Sequence, residues 1–214
     1  LARARDLALA EPRARVLMVA AELCSLTFRR EDLDKRNLVA ASLFADGAAA
    51  VVVQGAEAAP PPRALYRPLA LLGSSSTLWP ETLGVMGWTV SGRGLHVVFS
   101  RDIPAIVRER VRPGIDAFLE RHALSLADID HLVAHPGGAK VLAAYAEALG
   151  RPQASFAHAY EILRTHGNMS SPTCLFVLER LLESNGIAAG EHALVSALGP
   201  GFSAEYVLAR GAGE

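Results

Sequence analysis

Short apolar runs alternate with amphipathic segments along most of the chain. Five runs have the length and apolar character of buried strands: 15–20, 48–53, 129–134, 194–198 and 204–209. Two later segments, 138–149 and 170–184, place apolar residues at helical spacing. Strands that alternate with helices predict an α/β fold, built in layers around a largely buried sheet.

The middle of the chain predicts a hairpin followed by a long helix. Residues 89–98 turn around Gly92 and Gly94, a pattern typical of two strands joined tightly. Asp102 can cap the next helix, and Pro104 suits its first turn. Consecutive prolines make 58–62 a surface loop, because they cannot join a strand ladder.

The first eight residues have the pattern of the middle of an amphipathic helix. Neither an initiator Met nor an N-cap residue precedes them, and they lack the pattern of a signal peptide. We therefore expect the chain to be a piece of a longer protein.

Composition limits the classes of function. Hydrophobic residues make up 51% of the 214 residues, which excludes general disorder. The net charge of −1 provides no bulk attraction for nucleic acid or an anionic membrane. No apolar run reaches the roughly 18–20 residues of a membrane span. Two cysteines, Cys24 and Cys174, cannot form a disulfide scaffold, so we expect a reducing, cytoplasmic compartment.

Three motifs could carry chemistry. In the first, His135 ends a predicted strand and precedes Gly137 and Gly138, which open a helix. The strand would fix the imidazole, and the helix N-terminus would favour an anion. Spacing alone leaves a plain turn histidine equally open. The seven histidines show no metal-ligand spacing, and the chain has no nucleotide-binding glycine motif.

The other two motifs are weaker in isolation. Asn168 follows a permissive glycine and comes just before a helix that Ser170 or Ser171 can cap. Taken alone, this position favours a side chain that satisfies the local backbone of that turn. The segment 199–201, Gly-Pro-Gly, joins two apolar strands as a simple hairpin or as part of a cavity wall.

Together and in this order, the motifs resemble the C-terminal part of type III polyketide synthases, the chalcone/stilbene synthase superfamily. Segments 26–29, 43–50 and 100–104 resemble family segments in the same order. The resemblance implies a thiolase-like αβαβα layered fold that is incomplete here. Residues 1–55 would end the N-terminal half, and residues 56–214 would form the C-terminal half with the active-site His and Asn.

The resemblance also implies an acyltransferase. The family condenses malonyl-CoA iteratively and with decarboxylation onto an acyl-CoA starter, works as a homodimer, and needs no cofactor or metal. Its catalytic set is Cys–His–Asn, and His135 and Asn168 match the last two. Phe44 matches a gatekeeper phenylalanine. Further matches are cavity positions (Thr27, Val97, Ser170, Gly199, Pro200, Gly201) and positions bordering the coenzyme A tunnel (Arg101, Gly137, Gly138, Lys140).

The family's nucleophilic cysteine would fall several residues before Leu1, so this chain alone would be inactive. Variants such as Phe44-Ala45-Asp46-Gly47 resemble microbial members and favour a long-chain starter with alkylresorcinol or alkylpyrone products. Two alternatives remain. One is a β-ketoacyl-acyl-carrier-protein synthase III-like enzyme, disfavoured by Pro136-Gly137-Gly138. The other is a noncatalytic remnant without the cysteine.

Overall fold

The computed structural model describes residues 1–59, 64–92, 94–184 and 186–213. Its helices are α1 (Ala2–Ala10), α2 (Lys35–Leu43), α3 (Ile103–Glu120), α4 (Ala139–Leu149), α5 (Ala157–His166) and α6 (Thr173–Ser184). Its strands are β1 (Arg15–Glu22), β2 (Gly47–Gln54), β3 (Leu69–Leu78), β4 (Met86–Ser91), β5 (Gly94–Phe99), β6 (His131–Ala134), β7 (His192–Gly199) and β8 (Ser203–Gly211). The predicted alternation of strands and helices is confirmed. Most of the proline loop predicted at 58–62 lies outside the described residues.

The largest sheet has the strand order β3-β8-β7-β6. β6 and β7 run parallel, whereas β8 is antiparallel to both of its neighbours. Helix α3 presents an apolar stripe to the core, including Val107, Val111 and Ile115, and these side chains are fully buried. The main hydrophobic core therefore lies in the C-terminal two-thirds of the chain.

A separate two-stranded sheet forms from β1 and β2. Leu17 pairs with Val52 and Val19 with Ala50. The large apolar residues on this face are open to solvent: Leu17 is 65% exposed, Val19 62% and Val52 57%. Both strands were predicted to be buried, but only one face of this sheet is covered by described residues.

Arg5 links helix α1 to the large sheet through hydrogen bonds. β3 has a bulge between Leu71 and Gly73, which turns carbonyl groups out of the strand ladder. The Arg5 guanidinium donates hydrogen bonds to the carbonyls of Leu71 at 2.9 Å and Leu72 at 2.8 Å. The N-terminal elements are thereby held against the large sheet.

The predicted hairpin and long helix are both present. β4 and β5 pair with Trp88 opposite Val97, and position 93 in the turn lies outside the described residues. Asp102 occupies the N-cap position of α3, but its carboxylate makes no capping bond. It accepts a hydrogen bond from the Ser100 hydroxyl instead. The predicted position of Asp102 is therefore confirmed, but the predicted capping hydrogen bond is wrong. Among the described residues, no helix is both long and apolar enough to cross a membrane.

Candidate functional site

His135 lies directly after β6, at the carboxyl end of a parallel strand. Its backbone N–H donates to the carbonyl of Ser196 in β7 at 2.8 Å, so the ladder continues one residue beyond β6. This bond fixes the position from which the half-buried imidazole projects. Burial lowers the pKa of His135 to about 4, because the imidazolium would lose its hydration. The ring is therefore neutral near pH 7.

Asn168 follows α5 and is buried, with 4% of its surface exposed. Its Oδ1 accepts a hydrogen bond from the Ser170 backbone N–H at 2.9 Å, which leaves the Nδ2 group as the donor. Nδ2 lies 3.5 Å from the carbonyl oxygen of Gly137. The structure thus brings Asn168 against the loop that begins at His135.

A cavity of about 360 Å³ lies between the short 3-10 helix Cys24–Thr27, helix α2 and the β4–β5 hairpin. Three predicted cavity residues, Thr27, Phe44 and Val97, line it. Trp88 shares this wall, with its ring centroid 6.5 Å from that of Phe44. The predicted substrate residues of the N-terminal region therefore share one cavity with the β4–β5 hairpin.

The wall also contains residues that sequence reasoning did not assign to it, among them Cys24, Ser25, Asn37 and Asp46. Asp46 accepts hydrogen bonds from the Ser25 backbone N–H at 2.7 Å and hydroxyl at 2.6 Å. These bonds lower the pKa of the Asp46 carboxyl group. In the sequence, Cys24 stands in an apolar run, a pattern typical of a small core residue rather than of a cavity wall.

Other predicted residues lie outside that wall. Ser170 lies two residues after Asn168 and has a left-handed φ of 60°. The turn Gly199–Gly201 contacts the segment between β3 and β4, since the Gly201 carbonyl accepts a hydrogen bond from the Thr82 hydroxyl at 2.9 Å. Arg101 and Lys140 are exposed just before α3 and in the first turn of α4. Gly137 and Gly138 connect His135 to α4.

The described residues contain no group of three or more His, Cys, Asp or Glu side chains arranged to hold a metal ion. The chemistry that the site offers is that of two neutral hydrogen-bond donors, the imidazole of His135 and the amide of Asn168. Such donors stabilise negative charge that develops on a carbonyl oxygen.

Two family models match the chain. The model for chalcone and stilbene synthases, C-terminal domain, matches residues 70–213. The model for chalcone and stilbene synthases, N-terminal domain, matches residues 1–58.

Curated relatives agree with these matches. The chain is 43% identical over 208 residues to a Bacillus subtilis (strain 168) protein named for chalcone synthase, covering 97% of this chain and 57% of the relative. It is 38% identical to a 1,3,6,8-tetrahydroxynaphthalene synthase of Streptomyces peucetius subsp. caesius, covering 98% of this chain and 55% of that enzyme. The chain thus spans just over half the length of these relatives.

Solved structures share the fold. A 1,3,6,8-tetrahydroxynaphthalene synthase from Streptomyces coelicolor A3(2), a bacterial type III polyketide synthase, matches with a TM-score of 0.90 and 29% identity. The match covers 99% of this chain and 58% of that one. The predicted thiolase-like α/β fold is confirmed by this likeness. With both family models matching in order, the chain belongs to the chalcone and stilbene synthase family of type III polyketide synthases.

Proposed function

We propose that the enzyme containing this chain condenses malonyl-CoA iteratively, with decarboxylation, onto an acyl-CoA starter. The observation that carries the proposal is the position of Asn168. Its side chain faces the loop that begins at His135, and its backbone is hydrogen-bonded on both sides of Phe44 in the cavity wall. Asn168 therefore connects the loop that begins at His135 with the segment that carries Phe44 into the cavity wall.

Decarboxylation is the step that these donors would assist. The bond between the malonyl carboxylate and its α-carbon breaks, carbon dioxide leaves, and the electron pair forms an enolate on the thioester oxygen. A neutral His135 and the Asn168 amide can each donate a hydrogen bond to that oxygen. The enolate carbon then attacks the acyl thioester carried by the nucleophilic cysteine, the cysteine thiolate leaves as the carbon–sulfur bond breaks, and the acyl chain, now on coenzyme A, is two carbons longer.

We infer that the nucleophilic cysteine lies ahead of Leu1, on the helix that α1 continues. The thiolate would attack the starter thioester, and coenzyme A would leave as its thiol. Leu1, at the start of α1, is half-buried and packs against the main hydrophobic core. A cysteine on a helical continuation of α1 would therefore lie beside that core.

The wider assignments rest on the family. We infer that residues 1–55 end one thiolase-like half and that residues 56–214 form the other. We also infer a cytoplasmic homodimer that uses only coenzyme A thioesters, with Arg101 and Lys140 near their phosphates. The exposure of both cationic side chains is compatible with that role.

The proposal extends to the chemical class of the starter acyl group. Aromatic and aliphatic side chains in the cavity wall, among them Phe28, Phe44 and Trp88, favour an apolar acyl chain and alkylresorcinol or alkylpyrone products. The names of two relatives favour a different outcome, a polyhydroxylated aromatic product, because both are 1,3,6,8-tetrahydroxynaphthalene synthases.

The test uses the protein expressed from its complete coding sequence. Radiolabelled malonyl-CoA is supplied alone and with a panel of starters from acetyl-CoA to palmitoyl-CoA, and the products are identified by mass. Labelled polyketide formation supports the proposed function. Products from malonyl-CoA or aromatic starters alone would contradict the long-chain starter. A coding sequence without a cysteine turn ahead of Leu1 would make the protein a noncatalytic remnant.

The Trp88→Ala variant is expected to shift starter preference toward longer chains. Trp88 closes the cavity against Phe44 but is 42% exposed, so its removal widens the cavity at little cost in stability. Differences of a few methylenes in an apolar pocket change selectivity substantially, and we expect the kcat/KM ratio of palmitoyl-CoA to hexanoyl-CoA to rise about 10-fold. This ratio is measured with the purified wild-type enzyme and with the purified Trp88→Ala variant.

The matched control is Val90→Ala on the same strand. Val90 is 77% exposed and is not part of the cavity wall, so its ratio should stay at the wild-type value. An equal shift in both variants would show that the hairpin, rather than the Trp88 ring, sets the preference.

A further inference from the structure

The segment before β2 holds the backbone of Asn168. The Asn168 N–H donates to the Leu43 carbonyl at 2.8 Å, and the Ala45 N–H donates to the Asn168 carbonyl at 2.9 Å. These two bonds form an isolated parallel bridge between Phe44 and Asn168. A residue of the candidate site is therefore fixed by a segment more than a hundred residues earlier in the chain.

The segments around Phe44 and Asn168 also lie close together on either side of the bridge. Gly167 has a φ of 78°, and a Cβ added there would lie 3.0 Å from the Leu43 carbonyl oxygen. Met169 is 2% exposed and packs onto Gly47, the first residue of β2. A Cβ added to Gly47 would lie 2.5 Å from the Met169 Sδ and 2.8 Å from its Cβ and Cγ.

Such distances are below any contact that real Cβ atoms make, so a side chain at Gly47 must displace Met169. The Met169 Cβ is attached directly to the backbone, so moving the outer part of the side chain cannot relieve the overlap. Asn168 is the preceding residue, and its amide is oriented by contacts with the Ser170 N–H and the Gly137 carbonyl. A shift of Met169 is therefore transmitted to the donor group.

The geometry points to Gly47 as a positioning residue: through its contact with Met169, it holds the Asn168 amide in register with the loop at His135. This inference rests on the proposed function of Asn168. Neither Gly47 nor Met169 belongs to the cavity wall. A substitution at Gly47 should therefore change the rate of the chemical step more than the affinity for substrate.

The test is Gly47→Ala in the complete enzyme, with malonyl-CoA decarboxylation as the readout. Displacement of a reacting group by about 1 Å can cost 100-fold in rate, and we expect kcat to fall about 10- to 100-fold while KM stays within about two-fold. The control is Gly84→Ala, because a Cβ added at Gly84 meets nothing within 4 Å. That control should have wild-type kinetics.

A second variant separates positioning from general damage. Met169→Gly removes the Sδ, Cγ and Cβ, the three atoms that crowd an added Cβ at Gly47. The Gly47→Ala/Met169→Gly enzyme should therefore recover several-fold of the kcat that Gly47→Ala alone has lost. Wild-type kcat in Gly47→Ala, or no recovery in the double variant, would overturn the inference.

A crystal structure of the Gly47→Ala enzyme gives a readout that does not depend on activity. The distance from Asn168 Nδ2 to the Gly137 carbonyl should increase beyond the 3.5 Å of the parent chain. An unmoved Asn168 overturns the positioning role even if activity falls. A wild-type enzyme that does not decarboxylate malonyl-CoA would count against the proposed function, and the displacement alone would then decide the role of Gly47.

Discussion

The His135→Ala substitution in the complete enzyme is expected to abolish both acyl loading and malonyl-CoA decarboxylation. Loss of one donor to a developing oxyanion costs about 100- to 1,000-fold in rate. Once protonated, the same ring would stabilise the cysteine thiolate through a charge pair. The negative charge of the thiolate would favour the imidazolium and so counteract the burial that lowers the pKa of His135 to about 4. Coenzyme A release on loading and carbon dioxide release from malonyl-CoA measure the two steps separately.

The control for this variant is His131→Ala, at the other end of the same strand. The His131 Nε2 lies 2.9 Å from the Glu191 carboxylate at the protein surface, away from the loop at His135. We expect wild-type rates for that variant in both steps. Retention of decarboxylation in His135→Ala would refute the role of His135 as an oxyanion donor.

The parts of the fold that follow from local pattern could be predicted. The runs 194–198 and 204–209 are apolar on both faces, and they lie within β7 and β8 in the centre of the large sheet. The motif around His135 also depends on local order, since a strand end followed by glycines places a side chain at a sheet edge. Such signals need no knowledge of distant contacts.

Burial of β1 and β2 could not be judged in the same way. Over residues 16–21 and 48–53 their sequences are apolar on both faces, which is the pattern of a strand covered on both sides. In the described chain, Leu17 and Val52 face solvent. Pattern shows what a face can bury, whereas exposure depends on which other residues are present to cover it.

The residues that line the cavity could not be predicted from local sequence patterns either. Cys24, Asn37 and Trp88 meet there because a short 3-10 helix, α2 and the β4–β5 hairpin converge. The bridge between Phe44 and Asn168 is likewise a contact between distant segments. Only the resemblance to a family placed Phe44 and Asn168 in one site, and nothing in their spacing required it.

The Asn168→Ala substitution is expected to separate the two steps that His135 would serve together. Its amide can donate to the enolate oxygen, and its loss should lower decarboxylation about 100- to 1,000-fold. Acyl loading involves no enolate, and Asn168 carries no charge that could stabilise a thiolate. Coenzyme A release on loading should therefore stay near the wild-type rate in this variant.

The Asn168→Asp substitution sharpens this distinction. A carboxylate keeps the size of the side chain and still accepts the bond from the Ser170 N–H, but it has no proton to donate. Its negative charge would also repel the developing enolate. We expect decarboxylation at least as slow as in Asn168→Ala, and an aspartate variant more active than the alanine variant would contradict the donor role. If loading and decarboxylation fall together in Asn168→Ala, Asn168 supports the shape of the site rather than stabilising the enolate.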